Sequence, residues 1–198
     1  MLPNEWLDKV AYHALGYRQS LEATYDIATS LLARNVPGDF VECGVFAGAH
    51  CAVMARAIMD LDANRRVHVF DSFEGLPSAE PRDQEIWNHH GPKTGESTRS
   101  LSQVKGNLKN WGIPDHLLVY HPGWFADTIP LFRAALPKIA FLRLDGDLYS
   151  STRDCMPLES LVVEGGWICV DDFNLTGCRE AIFEKLIPAP IYWRKPTK

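Results

Sequence analysis

Four short apolar runs in this chain stop at acidic residues: "FVEC" at Glu42, "RVHVFD" at Asp71, "KIAFLRLDGD" at Asp145 and Asp147, and "GGWICVDD" at Asp171 and Asp172. Each has the length and composition of a buried strand. Stretches with helical spacing lie between them; in "AGAHCAVMARAIMDLDANRR", Cys51, Met54, Ile58 and Leu61 form one apolar stripe. Strands alternating with helices predict a doubly wound α/β domain: a mostly parallel sheet with helices on both faces. The carboxyl ends of parallel strands share one edge, and ligands bind there. The acidic residues are therefore expected together, at the functional edge.

The rest of the chain bounds what that edge can serve. With 198 residues and 46% hydrophobic content, one domain across 1–198 has a substantial core. Residues 1–36 read as a helical segment and "PIYWRK" as a terminal strand. A net charge of −5 with no Lys/Arg-rich run argues against nucleic acid or an anionic membrane as partner. No apolar stretch approaches the roughly 18 residues of a membrane span, and no secretory leader pattern is present. The five cysteines contain no CxxC pair, which predicts reduced thiols and a cytoplasmic setting.

The first strand runs into "ECGVFAG", with Glu42 at its tip and Gly44 and Gly48 opening the turn. Phe46 stands where a dinucleotide fingerprint carries its middle glycine, which disfavours close approach of a pyrophosphate. That pattern suits a nucleoside ligand without phosphates. Asp71 follows 71 − 42 = 29 residues later, where a carboxylate can accept both ribose hydroxyls. Both acids could equally cap the turns that follow them.

Neighbouring strands lie about 4.8 Å apart, so Asp145 should meet Asp171 and Asp172. Three converging carboxylates repel one another unless a cation compensates them. With no His or Cys beside them, the expected ion is hard and oxygen-liganded: magnesium first, manganese second. Coordination to such an ion would lower the pKa of a hydroxyl acceptor, leaving its proton to a nearby base. Asp147, past a glycine that permits a sharp turn, is the candidate base, and His89 and His90 are its rivals. The alternative for each aspartate is that it caps the next helix.

Together "FVECGVFAG", "HVFDSFEGLP", "GWFADTIP", "LRLDGDLYSST" and "WICVDDFNLTGCREAI" resemble the macrocin O-methyltransferase family, from about Phe40 to Ile182. The resemblance implies a Rossmann-like class I methyltransferase fold. It also implies S-adenosylmethionine and a divalent cation, and as acceptor a small hydroxylated molecule, a sugar or glycoside of a natural product. Glu42, Gly44 and Gly48 would then line the methionine and ribose side, with Asp145 also at the cofactor. Asp71 and Ser72 would hold the ribose, Phe73 would lie against the adenine, and Gly123 and Trp124 would flank the base. It points to Asp147 as the base as well. The chain departs from the family at Ala47, where a larger residue is usual, and in its shortened ends, which leaves the acceptor open.

The irregular stretch over 74–100, rich in Pro, Gly and charge, reads as a lid over the site, with Trp87 covering the acceptor. Trp6, Tyr12 and Tyr17 are candidates for a homo-oligomer contact. Two other functions compete. "DGD" is a DxD motif of the kind found in metal-dependent glycosyl transfer, and a methyltransferase-like binding protein without activity would share the fold.

Overall fold

The computed structural model describes residues 2–14, 17–83, 92–135, 138–185 and 192–194. The N-terminal segment forms two helices, α1 (Asn4–Ala11) and α2 (Arg18–Ala33), rather than one continuous stretch. Strands and helices then alternate: β1 (Asp39–Cys43), α3 (Ala49–Asp60), β2 (Val67–Asp71), α4 (Leu101–Asn110), β3 (Leu118–Pro122) and α5 (Phe125–Ala134). The second half follows as β4 (Ile139–Leu144), α6 (Tyr149–Cys155), β5 (Val162–Val170), α7 (Thr176–Lys185) and β6 (Tyr192–Arg194).

The sheet order is β3-β2-β1-β4-β5-β6, with β6 antiparallel to β5 and every other pairing parallel. From β1 the chain winds outward to β3, then returns to start again on the other side at β4. The point where strand order reverses therefore lies between β1 and β4, where a binding crevice is expected.

Alternation along the strands divides the core into two layers. Phe40 and Phe141 join α1 to α4 on one face, while Val41, Cys43, Leu142 and Leu144 join α5 to α7 on the other. The same alternation turns Glu42 and Arg143, register partners on β1 and β4, toward the α3 face. Both are buried.

Three local departures from the expected pattern have physical causes. The helix expected over 152–163 starts at Tyr149 and yields at Met156 to a 3-10 turn containing Pro157, so Val162 and Val163 join β5. Helix α5 runs on through Pro130, its lost hydrogen bond offset by Ile129 and Phe132 in the core. Helix α4 opens with a capping box, in which Gln103 N–H donates to Ser100 Oγ and Ser100 N–H donates to Gln103 Oε1. All five cysteines are buried and unbridged. No helix among the described residues is long and apolar enough to cross a membrane.

Candidate active site

A cavity of about 630 Å³ opens at the carboxyl edge over β1 and β4, a volume suited to a cofactor-sized ligand. Of the residues singled out in the sequence, Glu42, Gly44, Asp71, Ser72, Trp124, Asp145, Asp147, Asp171 and Asp172 line it. Gly48, Phe73 and Gly123 do not. Gly48 caps α3 at φ 88° and packs toward Val104 and Leu108. Phe73 is buried at the edge of the α3-side core, outside the cavity lining. Gly123 sits one residue before Trp124, tied by its N–H to the Asp71 carbonyl at 3.0 Å.

The β1 and β2 ends form one wall. Asp71 caps backbone amides, as one of its two sequence readings allowed: Oδ2 accepts Val45 N–H at 2.8 Å and Oδ1 accepts Phe73 N–H at 2.7 Å. Phe46 N–H bonds the same carboxylate, so of its four lone pairs one is left to accept from a ligand. Burial pushes its pKa up against those bonds. Ser72 Oγ donates to the Gly75 carbonyl and accepts Glu74 N–H. Gly44 has φ 83°, and a Cβ there would fall 1.7 Å from the Asp145 carbonyl oxygen. Only glycine lets the ends of β1 and β4 close to this distance. Glu42 is buried, accepts the Cys51 thiol at 2.8 Å, and has its pKa pushed up to about 8 by burial against the pull of Arg143.

The β4 and β5 ends form the other wall. The expected meeting of Asp145, Asp171 and Asp172 takes a different form, because Arg143 lies beneath it. Its Nη1 donates to Asp145 Oδ2 at 2.5 Å and approaches Glu42 Oε1 at 3.5 Å; its Nη2 donates to Asp171 Oδ1 at 2.6 Å. Nη2 also lies 3.1 Å from His50 Nε2. Thr24 Oγ1 donates to the Ser20 carbonyl, so His50 Nδ1–H donates to Thr24 and leaves Nε2 to accept from the guanidinium. Burial and Arg143 hold His50 neutral, well below its usual pKa.

The carboxylates that close into one group are Asp145, Asp147 and Asp172, whose oxygens lie within 4.8 Å of one another. Asp171 is turned to Arg143 instead. Asp147 has φ 57°, a left-handed conformation that aspartate tolerates better than most residues, and its N–H donates to Asp172 Oδ2 at 3.0 Å. Burial first, then repulsion from Asp145 and Asp171, raises Asp147 to about 7. Burial and the neighbouring carboxylates raise Asp172 to about 9.

Sequence reading did not pick out Arg143. Its signal was a charge inside the apolar run "KIAFLRLDGD", two residues before Asp145 and thus on the same face of the strand. His89, His90 and Trp87 lie outside the described residues. The flanks of that stretch are zipped together: Leu76 N–H donates to the Glu96 carbonyl, Gly95 N–H to the Leu76 carbonyl, and Thr98 Oγ1 to the Glu74 carbonyl. At the N-terminus, Tyr12 and Tyr17 are exposed, whereas Trp6 donates Nε1–H to the Trp111 carbonyl.

The sequence matches the family model described as macrocin-O-methyltransferase (TylF) over residues 4–190. It is 36% identical over 195 residues to the 8-demethyl-8-(2,3-dimethoxy-alpha-L-rhamnosyl)-tetracenomycin-C 4'-O-methyltransferase of Streptomyces olivaceus, covering 93% of this chain and 70% of that one. It is 34% identical over 182 residues to the mycinamicin III 3''-O-methyltransferase of Micromonospora griseorubida, covering 88% and 70%. Among solved structures, the O-methyltransferase NovP superposes with a TM-score of 0.81 at 31% identity, covering 93% of this chain and 83% of that one.

Proposed function

The chain belongs to the macrocin-O-methyltransferase (TylF) family and is an O-methyltransferase; we propose that its methyl donor is S-adenosylmethionine and its acceptor a sugar hydroxyl of a small glycoside. The observation that carries this reading is one cavity walled on one side by Glu42 and Asp71 and on the other by Asp145, Asp147 and Asp172. The two curated relatives are named for methylation of glycosylated natural products, which supports the sugar. Family membership also removes the grounds for reading "DGD" as a glycosyl-transfer motif.

S-adenosylmethionine, when bound, supplies a methyl group on a positively charged sulfur. Asp71 would accept a ribose hydroxyl through its remaining lone pair, with Ser72 beside it, and Glu42 would face the methionine side. Trp124, at the cavity wall, would flank the base. The carboxylates at the opposite wall fit a hard divalent cation: they are oxygen donors only, and two of them sit at raised pKa for want of a compensating charge. Asp145, Asp147 and Asp172 would hold it, and it would acidify and orient the acceptor hydroxyl.

The acceptor must also lose its proton. Asp147 is the base in this proposal, one carboxylate oxygen taking the hydroxyl proton while the other faces Asp145 and Asp172. A cation held by this wall would favour the ionised form of Asp147, the form that accepts a proton. Replacing Asp147 with Asn should lower kcat by about 10²–10⁴-fold while S-adenosylhomocysteine still binds in calorimetry. Turnover at the wild-type rate would overturn the assignment.

A further inference from the structure

Among its described residues, the segment between β2 and α4 makes a contact beside the catalytic wall that the proposed chemistry does not use. Its first half ends in a 3-10 turn, Pro81–Asp83, set against α6 and α7. Asp83 Oδ1 accepts the backbone N–H of Tyr149 at 2.8 Å, and Oδ2 accepts Glu80 N–H at 2.9 Å. Tyr149 is the first residue of α6, and the residue at its N-cap, Leu148, has no side-chain oxygen to offer. A carboxylate 66 residues earlier in the chain therefore does the capping that helix starts require.

The slot that admits Asp83 is made by Gly177, in the first turn of α7. A Cβ there would lie 1.8 Å from Asp83 Oδ1 and 3.0 Å from Tyr149 N, so any side chain displaces the carboxylate. Beside the slot, Arg82 stacks over the Tyr149 ring at 3.9 Å and reaches Glu184 at 3.2 Å, while Tyr149 O–H donates to Glu184 at 2.5 Å. The wedge is thus fixed on both sides.

What this fixes is the loop carrying Asp147. Its left-handed backbone is sparsely populated for a non-glycine residue and persists only where its surroundings hold it. On one side Asp172 accepts its N–H; on the other, two residues on, Asp83 accepts the N–H of Tyr149. We infer that Asp83, seated in the Gly177 slot, is a positioning residue: it pins the start of α6 so that the Asp147 carboxylate is presented to the cavity. This rests on the reading of Asp147 as the base.

The test is a set of variants measured for kcat, donor affinity and manganese(II) affinity, the last by electron paramagnetic resonance. Asp83→Ala and Gly177→Ala should each lower kcat by about tenfold to hundredfold, as a small misplacement of a catalytic group does. Both should weaken manganese(II) binding and leave S-adenosylhomocysteine affinity unchanged. Asp83→Asn keeps an oxygen acceptor for Tyr149 N–H and should restore most of the rate. Wild-type kcat and manganese affinity in Asp83→Ala would overturn the inference, as would a loss in Asp83→Asn equal to that in Asp83→Ala. If Asp147→Asn abolishes turnover while Asp83→Ala and Gly177→Ala keep it, only the positioning role fails. If Asp147→Asn itself is fully active, the base assignment fails with it.

Discussion

Asp145 and Asp171 end the neighbouring strands β4 and β5, and Asp147 and Asp172 follow within two residues, yet the two pairs live in opposite electrostatic surroundings. The first pair closes on a buried guanidinium, at 2.5 and 2.6 Å. The second has no salt bridge among the described residues and sits at raised pKa. Strand parity makes the difference: Arg143 shares a face with Asp145 and reaches across to Asp171. One pair is bonded to a cation within the fold, although burial and Asp145 still raise Asp171 against the pull of Arg143. The other is left for a charge that arrives from outside, and that is what a cation site requires.

The largest test removes the internal charge. Arg143→Met leaves Glu42, Asp145 and Asp171 facing one another over a buried cavity in the core. Breaking a buried pair from one side costs about 3–5 kcal/mol, and urea denaturation should show a loss of that size. A loss under about 1 kcal/mol would mean that the first pair does not depend on the guanidinium.

A smaller effect separates the pairs by pH. Asp147, Asp172 and Glu42 are carboxyl groups that bind their protons more tightly in the folded state than in the unfolded one. The folded state therefore carries more protons between the ordinary carboxylate range and about pH 9, and stability falls as pH rises through that window. Cation-free protein should lose about 5 °C in Tm or more between pH 5.5 and 8.5. At the proposed site magnesium would bind the deprotonated folded form, so its addition should flatten that slope. A Tm that rises with pH in the absence of cation would refute the contrast.

These differences show where sequence reading stops. Sheet, helix order and the shared acidic edge were legible because apolar runs and their acidic ends carry a period and a position. The aspartate ends were placed rightly at one edge, because parallel strands leave no other arrangement. Which carboxylates meet was not legible: it depends on rotamers and on one guanidinium two residues before Asp145. Phe73 adopts φ 58°, a backbone conformation that no pattern of residue types announces. The capping of Tyr149 by Asp83 is likewise invisible, since its partners are 66 residues apart and one is a backbone amide.

The third test acts on the second pair alone. Asp172→Asn removes the carboxylate with the most strongly raised pKa and keeps an oxygen to accept the Asp147 N–H. At pH 8 without cation this variant should be more stable than wild type by about 0.5–1 kcal/mol or more, since wild type must take up a proton at Asp172 on folding and Asn need not. It should also lose most of the stabilisation by magnesium. Destabilisation without cation would place Asp172 among the compensated groups.

Glu42→Gln has the smallest expected effect and draws the finest line. Glu42 lies within reach of Arg143, but at 3.5 Å its contact is the longest of the three that guanidinium makes to carboxylates. With its pKa at about 8, the donor-free protein at pH 6.5 holds a neutral carboxyl there, which Gln matches in shape and charge. Its amide oxygen can face Arg143 and its amide hydrogens the Cys51 sulfur, so the substitution should not lower stability at that pH. Between the ordinary carboxylate range and about pH 8 the variant should gain on wild type, whose folded state must take up a proton at Glu42. A loss of about 2 kcal/mol at pH 6.5 would mean that Glu42 is ionised and paired. Arg143 would then compensate three carboxylates rather than two, and the division between the strand ends would have to be redrawn around β1 as well.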